Sequence, residues 1–389
     1  MTTDLRISPE WIDLTHADDP RDVVHRAVAC LAQGGVVALP TETSYTLAAT
    51  ALNADAVARL QRIKGRDAST SFALALRSSD EVADWVPDLA TPAKRLIRRV
   101  WPGPVTFVCS GGVSKGLASR LPATVKDVVT PAESIGLRSP DHKVVREILR
   151  LVPAPLVITS ARRGSDRAAN VADHLRDLPD LDMVLDDGPT HPGMPSTIIQ
   201  AGPEGWRIAR PGAVDAETLT RMAGTIILFI CTGNTCRSPM AEALCKARLA
   251  DRLGCAIEDL EARGFVVISA GLGAIEGQPA ATHAAEVVRT RGGSLRSHAS
   301  RRITPELVHH ADAIITMTRD HRDALLAHAP EAADRVRLLD PLGDDVDDPI
   351  GADRATYLRT ADAIEAHLAH LLNDLGRNDP GSGSHLGPS

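Results

Sequence analysis

The segment Thr225 to Ile230 reads as a near-continuous apolar run, and it stops on Cys231. A strand without polar alternation is buried on both faces, as in a parallel sheet covered by helices. Helical signals begin at Ser238-Pro239, with serine expected as the N-cap and proline at the first helical position. Cys231-Thr232-Gly233-Asn234-Thr235-Cys236-Arg237-Ser238 therefore forms a strand-to-helix loop. Such a loop turns backbone N–H groups and the positive helix end into one concavity that suits a phosphate group. Gly233 is expected to take backbone angles that other residues resist. Arg237 offers a planar fork for two oxyanion oxygens. Cys231, at the centre, is the expected nucleophile as its thiolate. The expected reaction is a two-step displacement: Cys231 attacks phosphorus to give a phosphocysteine, and Arg237 and the loop amides stabilise the equatorial oxygens. Ser238 is expected to hydrogen-bond the sulfur, and Asn234 to brace the loop.

The chain has 389 residues, long for one core and typical of two domains. The fold class expected is α/β in two domains. The first, 1–214, is a twisted α/β sheet. A linker follows at 215–224, then a doubly wound parallel sheet over 225–373. The Gly-, Ser- and Pro-rich stretch 374–389 is expected to be a disordered tail. Strands are expected at Val36 to Leu39, Phe72 to Leu76, Val105 to Cys109, Ser134 to Leu137 and Leu156 to Thr159, with helices at Pro20 to Gln33 and Asp55 to Ile63. In the second half they are expected at Phe265 to Ile268, Ala313 to Met317 and Val336 to Leu339, with a last helix from Asp353 to Leu372.

A net charge of -7 gives no global basic footprint for nucleic acid, and 3% aromatics argue against base-stacking platforms. No run of roughly 18 apolar residues predicts a membrane span, and Met1 to Pro20 has no signal-peptide core. The six cysteines, Cys30, Cys109, Cys231, Cys236, Cys245 and Cys255, are too sparse for a secreted disulfide framework, and no pair of CxxC units suggests zinc. A reducing, cytoplasmic setting without a bound metal is expected.

The loop resembles that of the low-molecular-weight protein-tyrosine phosphatase family. The resemblance continues through Ser269-Ala270-Gly271, Ala311-Asp312, Thr316-Met317-Thr318 and His321 to Asp348-Pro349. In that family the aspartate before the proline is the general acid, which implies this role for Asp348. It protonates the leaving atom and then activates water. No cofactor is implied, and phosphorylated proteins are the implied substrates. Thr235 stands where tyrosine-directed members usually carry isoleucine or leucine, and members resembling bacterial protein-arginine phosphatases carry threonine. The resemblance thus favours phosphoarginine, with phosphotyrosine next. Ile350 stands where an aromatic often lines the pocket. Arsenate reductases share the loop but need further cysteines downstream, and none follows Cys255.

In the first half, Pro40-Thr41-Glu42-Thr43-Ser44-Tyr45, Lys64-Gly65-Arg66, Trp101-Pro102-Gly103-Pro104, Arg138-Ser139-Pro140-Asp141-His142, Thr159-Ser160-Ala161, Pro195-Ser196-Thr197 and Arg210-Pro211-Gly212 occur in order. Together they resemble the YrdC-like threonylcarbamoyl-AMP synthase family, which joins threonine, bicarbonate and ATP with Mg2+, releasing pyrophosphate, for tRNA modification. The resemblance implies that Lys64, Arg66, Arg138, Ser160, Ser196 and Arg210 bind nucleotide, and that Thr43 and Tyr45 line the threonine pocket. Two departures stand out: Arg162 where the family has asparagine, and Thr46 where it has glycine. The rival reading of this half is a nucleotide- or RNA-binding module without catalysis.

Overall fold

The computed structural model describes residues 8–65, 72–161, 169–176, 178–190 and 194–378. The chain divides into one unit through Leu219 and a second from Thr220.

The first unit holds one ten-stranded sheet. Its strands are β1 (Glu10–Asp13), β2 (Val37–Leu39), β3 (Thr46–Thr50), β4 (Ala73–Ala75), β5 (Val105–Ser110), β6 (Ser134–Arg138), β7 (Leu156–Ser160), β8 (Met183–Asp186), β9 (Thr197–Gly202) and β10 (Gly205–Arg210). Their order is β1-β8-β2-β3-β7-β4-β6-β5-β9-β10, with parallel and antiparallel pairs mixed. The helix Pro20–Ala32 opens on proline at its first turn, and Asp19 accepts the Arg21 N–H as N-cap. Val23, Ala27 and Leu31 recur at helical spacing. They pack with Val145, Ile148 and Leu149 of the helix Lys143–Leu151 onto Val37, Leu39, Leu156 and Ile158 of the sheet.

The second unit is a four-stranded parallel sheet of β11 (Thr225–Cys231), β12 (Phe265–Gly271), β13 (Ala313–Thr316) and β14 (Val336–Leu338), ordered β12-β11-β13-β14. Alternation along β11 explains its unbroken apolar sequence. Ile227 and Phe229 join a core with the helices Arg237–Leu253, Thr282–Arg289 and Arg354–Asn378. Leu228 and Ile230 join the opposite core with Val308, Leu325 and Ala329. This is the doubly wound arrangement expected.

Several local expectations need correction. The helix after the loop begins at Arg237 with Cys236 as its N-cap, so Ser238 lies inside the first turn, where its hydroxyl turns back to the sulfur. The left-handed backbone of the loop is at Asn234, at φ 55°, and not at Gly233. Five hydrogen bonds of the Asn234 side chain and backbone hold that conformation. A helix, Ala216–Ala223, spans most of the stretch read as a linker, with Asp215 accepting the Thr218 N–H at 2.8 Å. The last helix runs through Asn378, so 374–378 continue it, while 379–389 lie outside the described residues. Strands β1, β3, β8, β9 and β10 were not among the expected elements.

Candidate functional sites

In the second unit the loop is clamped by the end of β12. Leu272 N–H donates to Cys231 O and Gly273 N–H to Thr232 O, both at 3.0 Å. A Cβ on Gly271 would stand 2.5 Å from Thr232 O, so this approach requires glycine. Cys231 Sγ lies 3.0 Å from Ser238 Oγ and accepts the Asn234 N–H at 3.3 Å. Asn234 is fully buried. Its side-chain amide donates to Ser238 Oγ at 3.0 Å and Ser269 Oγ at 2.8 Å, and its carbonyl oxygen accepts the Arg301 N–H at 2.9 Å. Ser269 Oγ in turn donates to Glu242 Oε2 at 2.6 Å.

Arg237 is buried. Its guanidinium donates to Val346 O at 3.1 Å and forms an ion pair with Asp348. Asp348, distant in sequence, thus meets Arg237 at the loop that carries Cys231. Thr232 is exposed, and its hydroxyl lies 2.9 Å from His321 Nε2. His321 Nδ1 lies 2.8 Å from Thr318 Oγ1. Burial, and next the nearby Arg237 charge, hold His321 below the ordinary histidine value, which favours the neutral ring. Thr235 is half-buried, with its hydroxyl 3.7 Å from Cys236 Sγ. Cys236 Sγ lies 3.3 Å from the hydroxyl of Tyr357, whose phenol burial pushes up. Gly233 lies within the loop, with Thr235 Oγ1 3.6 Å from its Cβ position. Ile350 is exposed.

In the first unit the contacts span the sheet. Arg138 Nη2 donates to Thr43 Oγ1 and Glu42 Oε1, both at 2.9 Å. Lys64 is buried, and its ammonium donates to Ser160 O at 2.8 Å. Arg210 donates to Ser196 O at 2.8 Å, and Ser196 Oγ lies 3.1 Å from Thr106 Oγ1. The register puts Ser160 and Arg138 on one face. Ile158 pairs with Ala73 and Ala73 with Gly136, so Ser160 and Arg138, each two residues further, point the same way. Thr46 pairs with Ser160 directly. Tyr45 is fully buried, and its hydroxyl donates toward Asp186 Oδ1 and Gly188 O and accepts the Asp187 N–H. That hydroxyl is therefore committed to the end of β8. Arg66 and Arg162 lie outside the described residues.

Sequence reasoning assigned no role to Ser269, Glu242, Tyr357, Glu42, His142 or Asp187. Ser269, Glu42 and His142 lay inside motifs already singled out, whereas Glu242, Tyr357 and Asp187 carried no local signal.

The described residues contain no helix long and apolar enough to cross a membrane. The telomere recombination (YrdC-type) family model matches residues 29–212, and the low molecular weight phosphotyrosine protein phosphatase model matches residues 226–380. The threonylcarbamoyl-AMP synthase of Bacillus subtilis (strain 168) is 29% identical over 56% of this chain. The match covers 61% of that synthase, so the chain spans less than two thirds of its length. The bovine (Bos taurus) threonylcarbamoyl-AMP synthase is 30% identical over 51% of this chain and 70% of its own. The protein-arginine-phosphatase of Bacillus subtilis (strain 168) is 35% identical over 39% of this chain and 97% of its own. The chain therefore belongs to two families at once, carrying a YrdC-type domain in its first half and a low-molecular-weight phosphatase domain in its second.

Proposed function

We propose that the second unit is a protein phosphatase that favours phosphoarginine, with Cys231 as nucleophile, Arg237 as phosphate clamp and Asp348 as general acid. The observation that carries this reading is the environment of Cys231 Sγ, which faces the Asn234 N–H at 3.3 Å and Ser238 Oγ at 3.0 Å, with Arg237 and Asp348 paired at the same loop. Attack of the sulfur on phosphorus forms the S–P bond as the bond to the leaving nitrogen or oxygen breaks, and Asp348 gives its proton to the leaving atom. Water, deprotonated by the same carboxylate, then releases phosphate. Asp348 pairs with one arm of the Arg237 fork, and an incoming phosphate takes that arm over. The half-buried Thr235 supports phosphoarginine, since a hydroxyl suits a polar guanidinium better than an aliphatic side chain does. The relatives named protein-arginine-phosphatase point the same way. Peptides carrying phosphoarginine or phosphotyrosine, offered to wild type and Thr235→Ile, test the reading. Wild type is expected to prefer phosphoarginine and the variant to lose that preference. Faster cleavage of phosphotyrosine, unchanged by the substitution, refutes it.

For the first unit we propose L-threonylcarbamoyladenylate synthesis from threonine, bicarbonate and ATP, in support of tRNA modification. The buried cations Lys64 and Arg138, the first held by Ser160 O at the end of β7 and the second by Thr43 and Glu42, support it. Magnesium arriving with the triphosphate needs few protein ligands of its own. Threonine- and bicarbonate-dependent release of pyrophosphate by the full chain tests this. Nucleotide binding without release would leave the binding-module reading.

A further inference from the structure

In the first unit three chain segments meet: 40–45, 138–142 and 186–190. Glu42 ties the first two together, with one carboxylate oxygen on Arg138 Nη2 at 2.9 Å and the other on the Asp141 N–H at 3.2 Å. Tyr45 and Thr43 tie in the third, through the Asp187 N–H to Tyr45 OH at 3.1 Å and Thr190 Oγ1 to Thr43 O at 3.4 Å. His142 stands in this wall. It is the N-cap residue of the helix Lys143–Leu151, yet its side chain makes no capping bond and turns instead to Asp187, with Nε2 3.1 Å from Oδ2.

Two side-chain nitrogens in this wall are buried and have no hydrogen-bond partner among the described residues: Arg138 Nε and His142 Nδ1. Buried polar atoms are rarely left so, and each exception asks for a ligand or a water. The two vacancies are of opposite kind. Arg138 Nε–H can only donate. In the neutral ring with its proton on Nε2 toward the Asp187 carboxylate, His142 Nδ1 carries a lone pair that accepts. A fully ionised phosphate satisfies the first vacancy and not the second. A molecule with a carboxylate and an amino group a few bonds apart satisfies both.

Resting on the synthase reading above, we propose that His142, oriented by Asp187, receives an N–H of the amino group of the amino-acid substrate. Asp187 is a positioning residue, fixing the tautomer and the ring orientation. His142 also stands ready for the proton released on carboxylation. The substrate ammonium gives one proton to Nδ1, and the amine so formed attacks the bicarbonate carbon. The N–C bond forms as the C–OH bond breaks, a second nitrogen proton leaves with that hydroxide as water, and the third stays on the carbamate nitrogen.

The test compares binding of L-threonine with that of 3-hydroxybutyrate, which keeps the carboxylate and hydroxyl but lacks the amino group, by calorimetry on the full chain. Wild type is expected to prefer threonine. His142→Ala is expected to weaken threonine roughly ten- to a hundredfold while leaving 3-hydroxybutyrate unchanged. His142→Asn, whose amide oxygen can stand in for Nδ1, should recover part of the preference. Equal weakening of both ligands, or unchanged threonine binding in His142→Ala, overturns the role of His142 alone. Wild type that neither binds threonine nor releases pyrophosphate overturns the synthase reading, and this role with it.

Discussion

The two units assemble their polar side chains in opposite ways. In the second, Cys231, Asn234, Arg237 and Ser238 all belong to one loop, and the buried amide of Asn234 ties its two ends together. In the first, the defining contacts join residues far apart: Arg138 and Glu42 are 96 residues apart, Lys64 and Ser160 also 96, and His142 and Asp187 45. A loop site depends on one local conformation held by a dense set of hydrogen bonds. A dispersed site depends on the register of a whole sheet, because a slip of one residue turns Ser160 or Arg138 to the other face. Substitutions should therefore act sharply and locally in the second unit and more diffusely in the first.

The largest expected effect uses that contrast. Cys231→Ser should cut phosphatase turnover by about 10⁴-fold or more, because a weakly nucleophilic alcohol replaces the thiolate. Pyrophosphate release by the first unit should stay at the wild-type rate. A parallel fall in both activities would break the picture of two self-contained sites. Next comes Asp348→Asn, expected to lower kcat by about 10²–10⁴-fold. The loss should shrink for a substrate whose leaving group needs no proton, such as an aryl phosphate with a low-pKa phenol. An equal loss for good and poor leaving groups would remove Asp348 from the acid role.

How far each site could be read from the chain follows the same division. Thr225 to Ile230 could be read because both its faces are buried, so no polar residue interrupts it. The loop after it was legible as a unit because its parts are contiguous. One detail misled: Ser238-Pro239 has the look of a cap and first turn, yet the turn starts at Arg237. The serine hydroxyl faces the sulfur, which chain order alone does not reveal. In the first unit Thr46–Thr50 and Thr197–Gly202 are short strands with alanine, glycine and glutamine among their residues, and their place comes from neighbours rather than from propensity. The Glu42 and His142 contacts stayed hidden because their partners lie on other elements.

Stability should sharpen the comparison further. Phe229 is fully buried at the centre of the second sheet, and Phe229→Ala should cost about 3–5 kcal/mol by leaving a cavity. The loss should appear in thermal unfolding of the second unit and abolish phosphatase activity as the temperature rises. Tyr45→Phe should cost less, about 1–3 kcal/mol, because it leaves Asp186 and the Asp187 N–H without their shared hydroxyl. Its effect should fall on the first unit and reach threonine binding through Asp187. Unchanged melting in Tyr45→Phe would mean that water replaces the hydroxyl at that corner.

The smallest effect is electrostatic and belongs to the second unit. His321 sits between Thr232 and Thr318, with Arg237 pressing its titration down and Asp348, Asp320 and Asp345 opposing. Burial is the largest cause, and the net direction is downward from the ordinary value of 6.5. The unfolded chain therefore binds the proton more readily than the folded one. The stabilisation from a neutral His321 is complete above the unfolded value and is lost as pH falls through the folded value. Thermal melts across that window should show the second unit weakening toward acid, and His321→Asn, which does not titrate, should flatten the slope. The first unit lacks this histidine and serves as the internal reference. An equally steep acid slope in the variant would shift the cause away from His321.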